Sequence, residues 1–361
     1  MGRRGVSLTV RHEVLHLSLR DPFRIARSDH ASDEGVTTVI IELRDDRFPD
    51  VVGVGEGYPD RYYGETPETM VAIMPQLLSS AERIVTDLDD ISAAGEQLAR
   101  VGTTWAADVR WNGAAKCALD IALHDLAGKV LGIPVHELIG LPAVIPPTDF
   151  TIGIDEPAIV AQRAARAAGF PALKIKCGGP QDLETLRAVR EVFSGPIRVD
   201  ANTGWTRDDA ERLLPAIIDL GVELIEQPFP ARAYRDLGWL QERSSIPIVA
   251  DESAVTEEDL DALVGVVEGV NVKLAKCGGI APAKAMLTRA RALGFRTFLG
   301  CMEETSVGIA GSAAVASLAE WVDLDGCLLL ADDPFEGLDL DADHRWILTS
   351  RPGLGLTLRA T

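Results

Sequence analysis

Several things are missing from this 361-residue chain, and each absence excludes a class of protein. No run of 18 apolar residues occurs, and MGRRGVSLTVRHE has no apolar core of signal-peptide length, so neither a membrane span nor a secretory leader is expected. Cysteine is sparse and odd in number: Cys117, Cys177, Cys277, Cys301 and Cys327, with no CxxC pair. That argues against a disulfide framework and for reduced thiols in a cytoplasmic protein. Positive charge is in deficit, with 35 Lys and Arg against 55 Asp and Glu and a formal net charge of −20, so a nucleic-acid or anionic-membrane partner is not expected. The six histidines (His12, His16, His30, His124, His136, His344) all lie outside the segments read below as barrel strands. This argues against a zinc site or a Ser-His-Asp triad in the barrel mouth.

Apolar residues make up 47 % of the chain, enough for large cores, and the length suits a barrel of about 200 residues plus a second domain. SLTVRHEVLHLSL and VTTVIIEL alternate apolar with polar and read as strands, separated by the polar DPFRIARSDHASDEG. VVGVGEGYP is a third strand. Helical patterns follow in PETMVAIMPQLLSSAERIV, ISAAGEQLARV and AAKCALDIALHDLAGKVLG, completing an α+β capping domain over residues 1–125. From 126 to 330 short apolar runs alternate with helical stretches. The predicted strands end near Ile154, Lys176, Asp200, Glu226, Asp251, Lys273, Gly300 and Asp325. Eight strands and seven helices read as a modified TIM barrel, of (β/α)7β type, with no internal sequence repeat. The turn-rich segment 331–361 is expected to fold back onto the capping domain.

Three acids end three successive strands: Asp200 in IRVDAN, Glu226 in LIEQP and Asp251 in IVADES, about 25 residues apart, one strand–helix unit each. Carboxylates at barrel strand ends point into the mouth. Three together repel one another unless a hard dication, Mg²⁺, sits between them. Asn202 and Gln227 are neutral neighbours suited to orienting those ligands. In ALKIKCGG, Lys174 and Lys176 are two apart, so both face the same side of the strand, inward if Leu173 and Ile175 face the helices. Two inward ammoniums should depress each other's pKa and poise a general base. Lys273 ends the sixth strand in VNVKLAKCGGI, across the mouth; Lys276 is expected in the loop beyond. Lysines on opposite sides of one carbon permit a 1,1-proton transfer, through an enediolate whose charge a metal on the substrate carboxylate would stabilise.

KIK, VDAN, IEQP, ADES and VKLAKCGG, in this order and spacing, resemble the enolase superfamily and, within it, the muconate-lactonizing subgroup, which carries lysine on both barrel strands. The likeness covers essentially the whole chain, including PFRIA, YYGET and AKCALDIALHDLAGKVLG in the cap. It implies one Mg²⁺ per subunit, Lys176 and Lys273 as catalytic bases supported by Lys174, cap loops that close the site, and a homo-oligomer. Asp323 and Asp325 in WVDLDGCLLL resemble the paired aspartates by which dipeptide epimerases hold a substrate ammonium. GCMEETSVG, with Met302, Glu303 and Glu304, resembles their seventh-strand segment. The resemblance therefore implies epimerization of a dipeptide at the α-carbon of its C-terminal residue.

The side chain at that carbon is expected to be read by Phe23, Arg24 and Arg27 in the first cap loop and by Tyr58, Tyr62 and Tyr63 in the second. Where Ala-Glu epimerases carry a glutamate-binding arginine, this chain aligns Ser28; Arg24 and Arg27 nearby suit an acidic side chain and Asp29, Asp33 and Glu34 equally a cationic one, so acidic, cationic and hydrophobic second residues all stay open. The alternatives in the same fold are a muconate cycloisomerase, an o-succinylbenzoate synthase and an N-acylamino-acid racemase. Outside it stand a Schiff-base lysine enzyme and a barrel retained only for binding. Cycloisomerases and succinylbenzoate synthases have no ammonium to bind, and an unused buried set of three acids and three lysines would be costly.

Overall fold

The alternating N-terminal segments pair as expected. In the computed structural model, which describes residues 6–30 and 35–359, β1 (Leu8–Leu17) runs antiparallel to β4 (Val36–Asp45), and β4 to β5 (Gly53–Gly57). Between β1 and β4 a small hairpin forms from β2 (Phe23–Ile25) and β3 (Ser28–His30). Asp33 and Glu34 lie outside the described residues. Three helices follow: α1 (Pro67–Ile84), α2 (Ile91–Asp108) and α3 (Gly113–Leu131). Thr66 and Thr69 form a reciprocal cap at the start of α1, and Asp90 caps α2 through the Ala93 N–H. Helix α3 is buried on every side from Ala114 to Gly128, which explains its apolar residues on all faces, and Lys116, Asp120, His124 and Asp125 are buried with them. It lies directly on the backbone of β5: a Cβ at Gly55 would come within 1.9 Å of the Ala118 carbonyl oxygen. Only glycine permits that approach.

After the short α4 (Val135–Leu138), eight parallel strands succeed one another in sequence order. They are β6 (Phe150–Ile152), β7 (Leu173–Lys176), β8 (Ile197–Asp200), β9 (Val222–Glu226), β10 (Ile248–Ala250), β11 (Gly269–Lys273), β12 (Arg296–Gly300) and β13 (Trp321–Asp323). A parallel bridge between Thr148 and Val322 brings the last strand against the first. The first, fifth and last strands stop one or two residues before the predicted ends, so Asp251 and Asp325 lie just past their strands. Helices α5 (Pro157–Arg166), α6 (Asp182–Val192), α7 (Arg207–Asp219) and α8 (Tyr234–Gln241) fill the first connections. Only a 3₁₀ turn and the single-turn α9 (Leu260–Leu263) link β10 to β11. The short α10 (Leu274–Cys277) precedes α11 (Ile280–Ala292), α12 (Ser306–Ala313) follows β12, and α13 (Gly326–Leu329) follows β13.

Inside the barrel, Leu224, Val249, Phe298 and Trp321 pack as a separate apolar cluster below the mouth. Arg198 crosses this floor, 2.8 Å from Asp149 and from Glu223, with its guanidinium 5.4 Å from the centre of the Phe298 ring.

Buried acids join the N-terminal unit to the barrel by capping helices. Glu56 on β5 accepts the Thr305 and Gly308 N–H groups at the start of α12, and Asp120 on α3 accepts the Ile280 N–H at the start of α11. Each carboxylate meets the positive end of a helix dipole. The C-terminal segment returns to α3, where Asp125 accepts the Leu354 N–H at 2.8 Å, and ends in a two-stranded ribbon, β14 (Phe335–Glu336) with β15 (Thr357–Leu358). Among the described residues no helix is long and apolar enough to cross a membrane.

Candidate active site

Parallel register brings the strand ends level. Lys176 is paired with Asp200 across β7 and β8, and Asp200 with Glu226 across β8 and β9. Asp251 begins the turn after β10. Asp200, Glu226 and Asp251 are fully buried, and each offers a carboxylate oxygen within 4.8 Å of the others. Lys174 reaches from a lower layer to Asp323 at 2.7 Å, Glu226 at 2.8 Å and Asp200 at 3.3 Å. Lys176 lies 2.7 Å from Asp200, and Lys273 lies 3.0 Å from Asp251.

At Lys174 the balance of charge runs opposite to the expected depression. Despite burial, Asp323 and Glu226 raise the Lys174 pKa well above its ordinary value, and Asp251 raises that of Lys273. The same pairing, overcoming burial, holds Asp251 well below the usual carboxylate range through Lys273 and Lys276. Lysines surrounded by carboxylates bind their protons more tightly, and this outweighs lysine–lysine repulsion. Glu226 is the exception: burial and its neighbour Asp200 push it up to about 7. Its Oε2 has no aligned hydrogen-bond donor among the described residues, although Lys174 stands 2.8 Å away. An all-carboxylate set with an under-compensated member fits a hard divalent cation.

Four residues support the trio: Gln227, Asn202, Asn271 and Lys276. Gln227 accepts the Asp251 and Ser253 N–H groups and donates to Phe229 and Ser253, fixing the turns that carry two ligands. The Asn202 N–H donates to Asp200 at 2.9 Å. Asn202 and Gln227 both hold left-handed backbones, φ 42° and 33°, a strain of about 1–3 kcal/mol each that sharp turns at the mouth impose. Asn271, which sequence reasoning passed over, donates to Glu226 at 2.7 Å. Its signal was present: two residues before Lys273 on one strand, it faces the same way. Lys276 is not in a solvated loop. It sits in α10, buried, donating to Asp251 and to the Asp251, Ala254 and Asn271 carbonyls. Four acceptors occupy it, which suits positioning of Asp251 rather than proton transfer.

Above the acids lies a cavity of about 660 Å³. Lys176, Lys273, Asn202, Met302, Glu303, Asp323, Asp325, Phe23 and Tyr58 all line it. Arg24 does not. Alternation along β2 turns Phe23 inward and Arg24 outward, where it pairs with Asp29 at 2.7 Å in the exposed hairpin. Arg27 does line the cavity but is ion-paired with buried Glu252, a residue the sequence reading omitted, and stacks 4.3 Å from the Tyr62 ring centre. Glu304 turns away from the cavity, and burial with Glu56 nearby pushes it up to about 8. Asp323 and Asp325 differ in environment. Asp323 holds Lys174 and accepts the Thr151 hydroxyl at 3.0 Å. Asp325 accepts the Thr151 N–H, has no cation within ion-pair distance among the described residues, and is raised well above the ordinary range by burial and by Asp323.

Comparison with known proteins decides the family. Residues 6–140 match the profile described as the mandelate racemase/muconate lactonizing enzyme N-terminal domain, and residues 158–361 the profile described as enolase C-terminal domain-like. The chain belongs to the mandelate racemase/muconate lactonizing enzyme family of the enolase superfamily. Within the family it is 36 % identical to an L-Ala-D/L-Glu epimerase of Bacteroides thetaiotaomicron, over 94 % of this chain and 85 % of that relative. It is also 36 % identical to an L-Lys-D/L-Arg epimerase of Methylococcus capsulatus, over 94 % of this chain and 96 % of that one. A crystal structure of an Enterococcus faecalis dipeptide epimerase with Mg and L-Leu-L-Tyr superposes with a TM-score of 0.85 at 30 % identity, covering 97 % of this chain and 98 % of that one. These family members share dipeptides but differ in the residues they accept.

Proposed function

We propose that this chain is a Mg²⁺-dependent dipeptide epimerase that inverts the α-carbon of the C-terminal residue. The observation that carries the reading is the pair of lysines on strands four apart in an eight-stranded ring, hence across the mouth from one another, each beside a different carboxylate of the trio. Asp200, Glu226 and Asp251 would hold Mg²⁺, which supplies electrophilic stabilisation for negative charge building on the substrate carboxylate. One of Lys176 and Lys273 removes the α-proton, and the other returns a proton to the opposite face, so configuration inverts. Both lysines are held by carboxylates of the trio, so a cation on those carboxylates would free the ammoniums to face the substrate. Lys174 stays with Glu226, Asp200 and Asp323 as a fixed charge beneath the reacting carbon.

The free amino group of the substrate supplies the cation that Asp325 lacks, through a charge-assisted contact. This favours dipeptides over substrates of the cycloisomerase or succinylbenzoate-synthase kind. The reading includes a homo-oligomer in the cytoplasm; five free cysteines support the location, and light scattering measures the assembly. The function is tested by incubating a dipeptide library with enzyme and Mg²⁺ in D₂O. α-Deuteration at the second residue, abolished by EDTA, is expected. No exchange with any dipeptide overturns the reading.

A further inference from the structure

A second cavity, of about 420 Å³, lies beside the first, between the first cap loop, β6, α5 and the C-terminal segment. The two cavities meet along Phe23, Thr151 and Leu329, which line both. Thr151 is also the residue whose N–H and hydroxyl engage Asp325 and Asp323. The second cavity therefore opens directly behind the place where the proposed function puts the substrate ammonium. The α-carbon that bears this ammonium also bears the N-terminal side chain, and the neighbouring space is the second cavity.

Its walls are apolar, from Phe23, Phe150, Ile152, Phe170, Leu329 and Leu340. Its charged groups are three arginines, Arg20, Arg163 and Arg166, and two aspartates, Asp21 and Asp341, with Asp21 shared between Arg166 and the Nε of Arg163. Arg20 donates to the Leu330 carbonyl at 2.7 Å, and Arg166 is paired with Asp21 at 2.7 Å. Arg163, nine-tenths buried, lies 2.9 Å from Asp155 through Nη2, and its Nη1 has no partner among the described residues. Asp341, also in the wall, accepts the Asp343 and Arg345 N–H groups. A buried donor without an acceptor is costly, and an acceptor at the tip of an incoming side chain would relieve it.

We propose that this cavity is the subsite for the N-terminal side chain of the dipeptide, and that it selects large side chains with apolar stems and a neutral or acceptor tip while rejecting lysine and arginine. The inference rests on the epimerase reading. One-carbon differences in an apolar pocket are worth roughly 10–200-fold in kcat/KM, and like charges placed together cost at least about as much.

The test uses the Mg²⁺-supplemented enzyme in D₂O with dipeptides sharing a C-terminal L-alanine and carrying N-terminal Gly, Ala, Leu, Phe, Gln or Lys. Leu, Phe and Gln are expected to exceed Gly at least about tenfold in kcat/KM for exchange, and Gln to exceed Lys by a similar factor. Ala167→Phe and, independently, Leu340→Phe fill the cavity away from the acids and lysines. Each is expected to lower the Leu and Phe substrates about tenfold and to leave Gly-L-Ala within about threefold of wild type. A flat N-terminal profile, Lys equal to Gln, or filled variants that lower every substrate alike overturns the subsite while leaving epimerization standing. Exchange with no dipeptide at all overturns the epimerase reading and the subsite with it.

Discussion

Replacing one lysine of the pair and not the other separates a two-base site from any single-base alternative. Lys176→Met removes the ammonium 2.7 Å from Asp200, and Lys273→Met removes the one 3.0 Å from Asp251. Neither carboxylate is stranded. Lys174 remains 3.3 Å from Asp200, and Lys276 remains bound to Asp251. Losing one partner of a buried pair costs about 3–5 kcal/mol when the other charge is left alone, so with a second lysine in place about 1–3 kcal/mol is expected and the fold survives. The catalytic loss is larger in its own scale. A positioned general base contributes about 10²–10⁴-fold, or roughly 3–5 kcal/mol at 1.36 kcal/mol per decade, and inversion needs both bases. Epimerization should fall by at least that factor in either variant. Wash-in of deuterium should survive for one hand of the substrate in Lys176→Met and for the other hand in Lys273→Met, because the remaining lysine still faces one side of the carbon. The assay follows each pure diastereomer in D₂O by mass and by chiral chromatography, with an Mg²⁺-dependent shift in Tm as a control for the metal site. Loss of exchange from both hands in each variant, or inversion within threefold of wild type in either, would refute the two-base geometry.

Asp325→Asn should lower kcat/KM for dipeptides by roughly 10–150-fold, the worth of a hydrogen bond to a charged group, while leaving Mg²⁺ binding intact; an unchanged value means the ammonium is held elsewhere. Because Glu252 already occupies Arg27, L-Ala-L-Glu should be turned over no faster than L-Ala-L-Gln, and Glu252→Gln, by releasing Arg27, should move that ratio toward glutamate by about tenfold. An unmoved ratio removes Arg27 from substrate reading. Glu65, which caps α3 through the Ala114 N–H, is pushed by burial from 4.5 up to about 7. Below pH 4.5 the group is protonated in folded and unfolded chains alike. Between 4.5 and 7 the unfolded chain ionises first, so stability falls by up to about 3 kcal/mol as pH rises through that window. Urea unfolding at pH 5 and pH 7.5 should show that loss in wild type and a shallower one in Glu65→Gln; equal slopes would count against the buried carboxyl.

Much of the site was written locally. A carboxylate or lysine at the end of a short apolar run must point into a barrel mouth, so Lys176, Asp200, Glu226 and Lys273 could be placed from spacing alone. Asn271 was available by the same two-residue rule. Residues whose roles depend on contacts between distant segments were not. Arg27 and Glu252 are 225 positions apart, and Thr151 meets Asp323 across 172. Arg24 was misplaced because the short β2–β3 hairpin, and with it the side each residue takes, carries no periodic signal of its own. Lys276 was misread because a single helical turn tucked under a strand end looks like loop in sequence.

Strand periodicity and the one-per-unit rhythm of charged strand ends were enough to specify the barrel, its cation-ready acids and the facing lysines, because those features follow from chain geometry within a few residues. Protonation balance, the division of labour between Asp323 and Asp325, the occupation of Arg27 and the existence of a second cavity behind Thr151 arise only on folding. Each is set by which charges and surfaces from remote segments come within a few ångströms, out of water, and no local pattern encodes that.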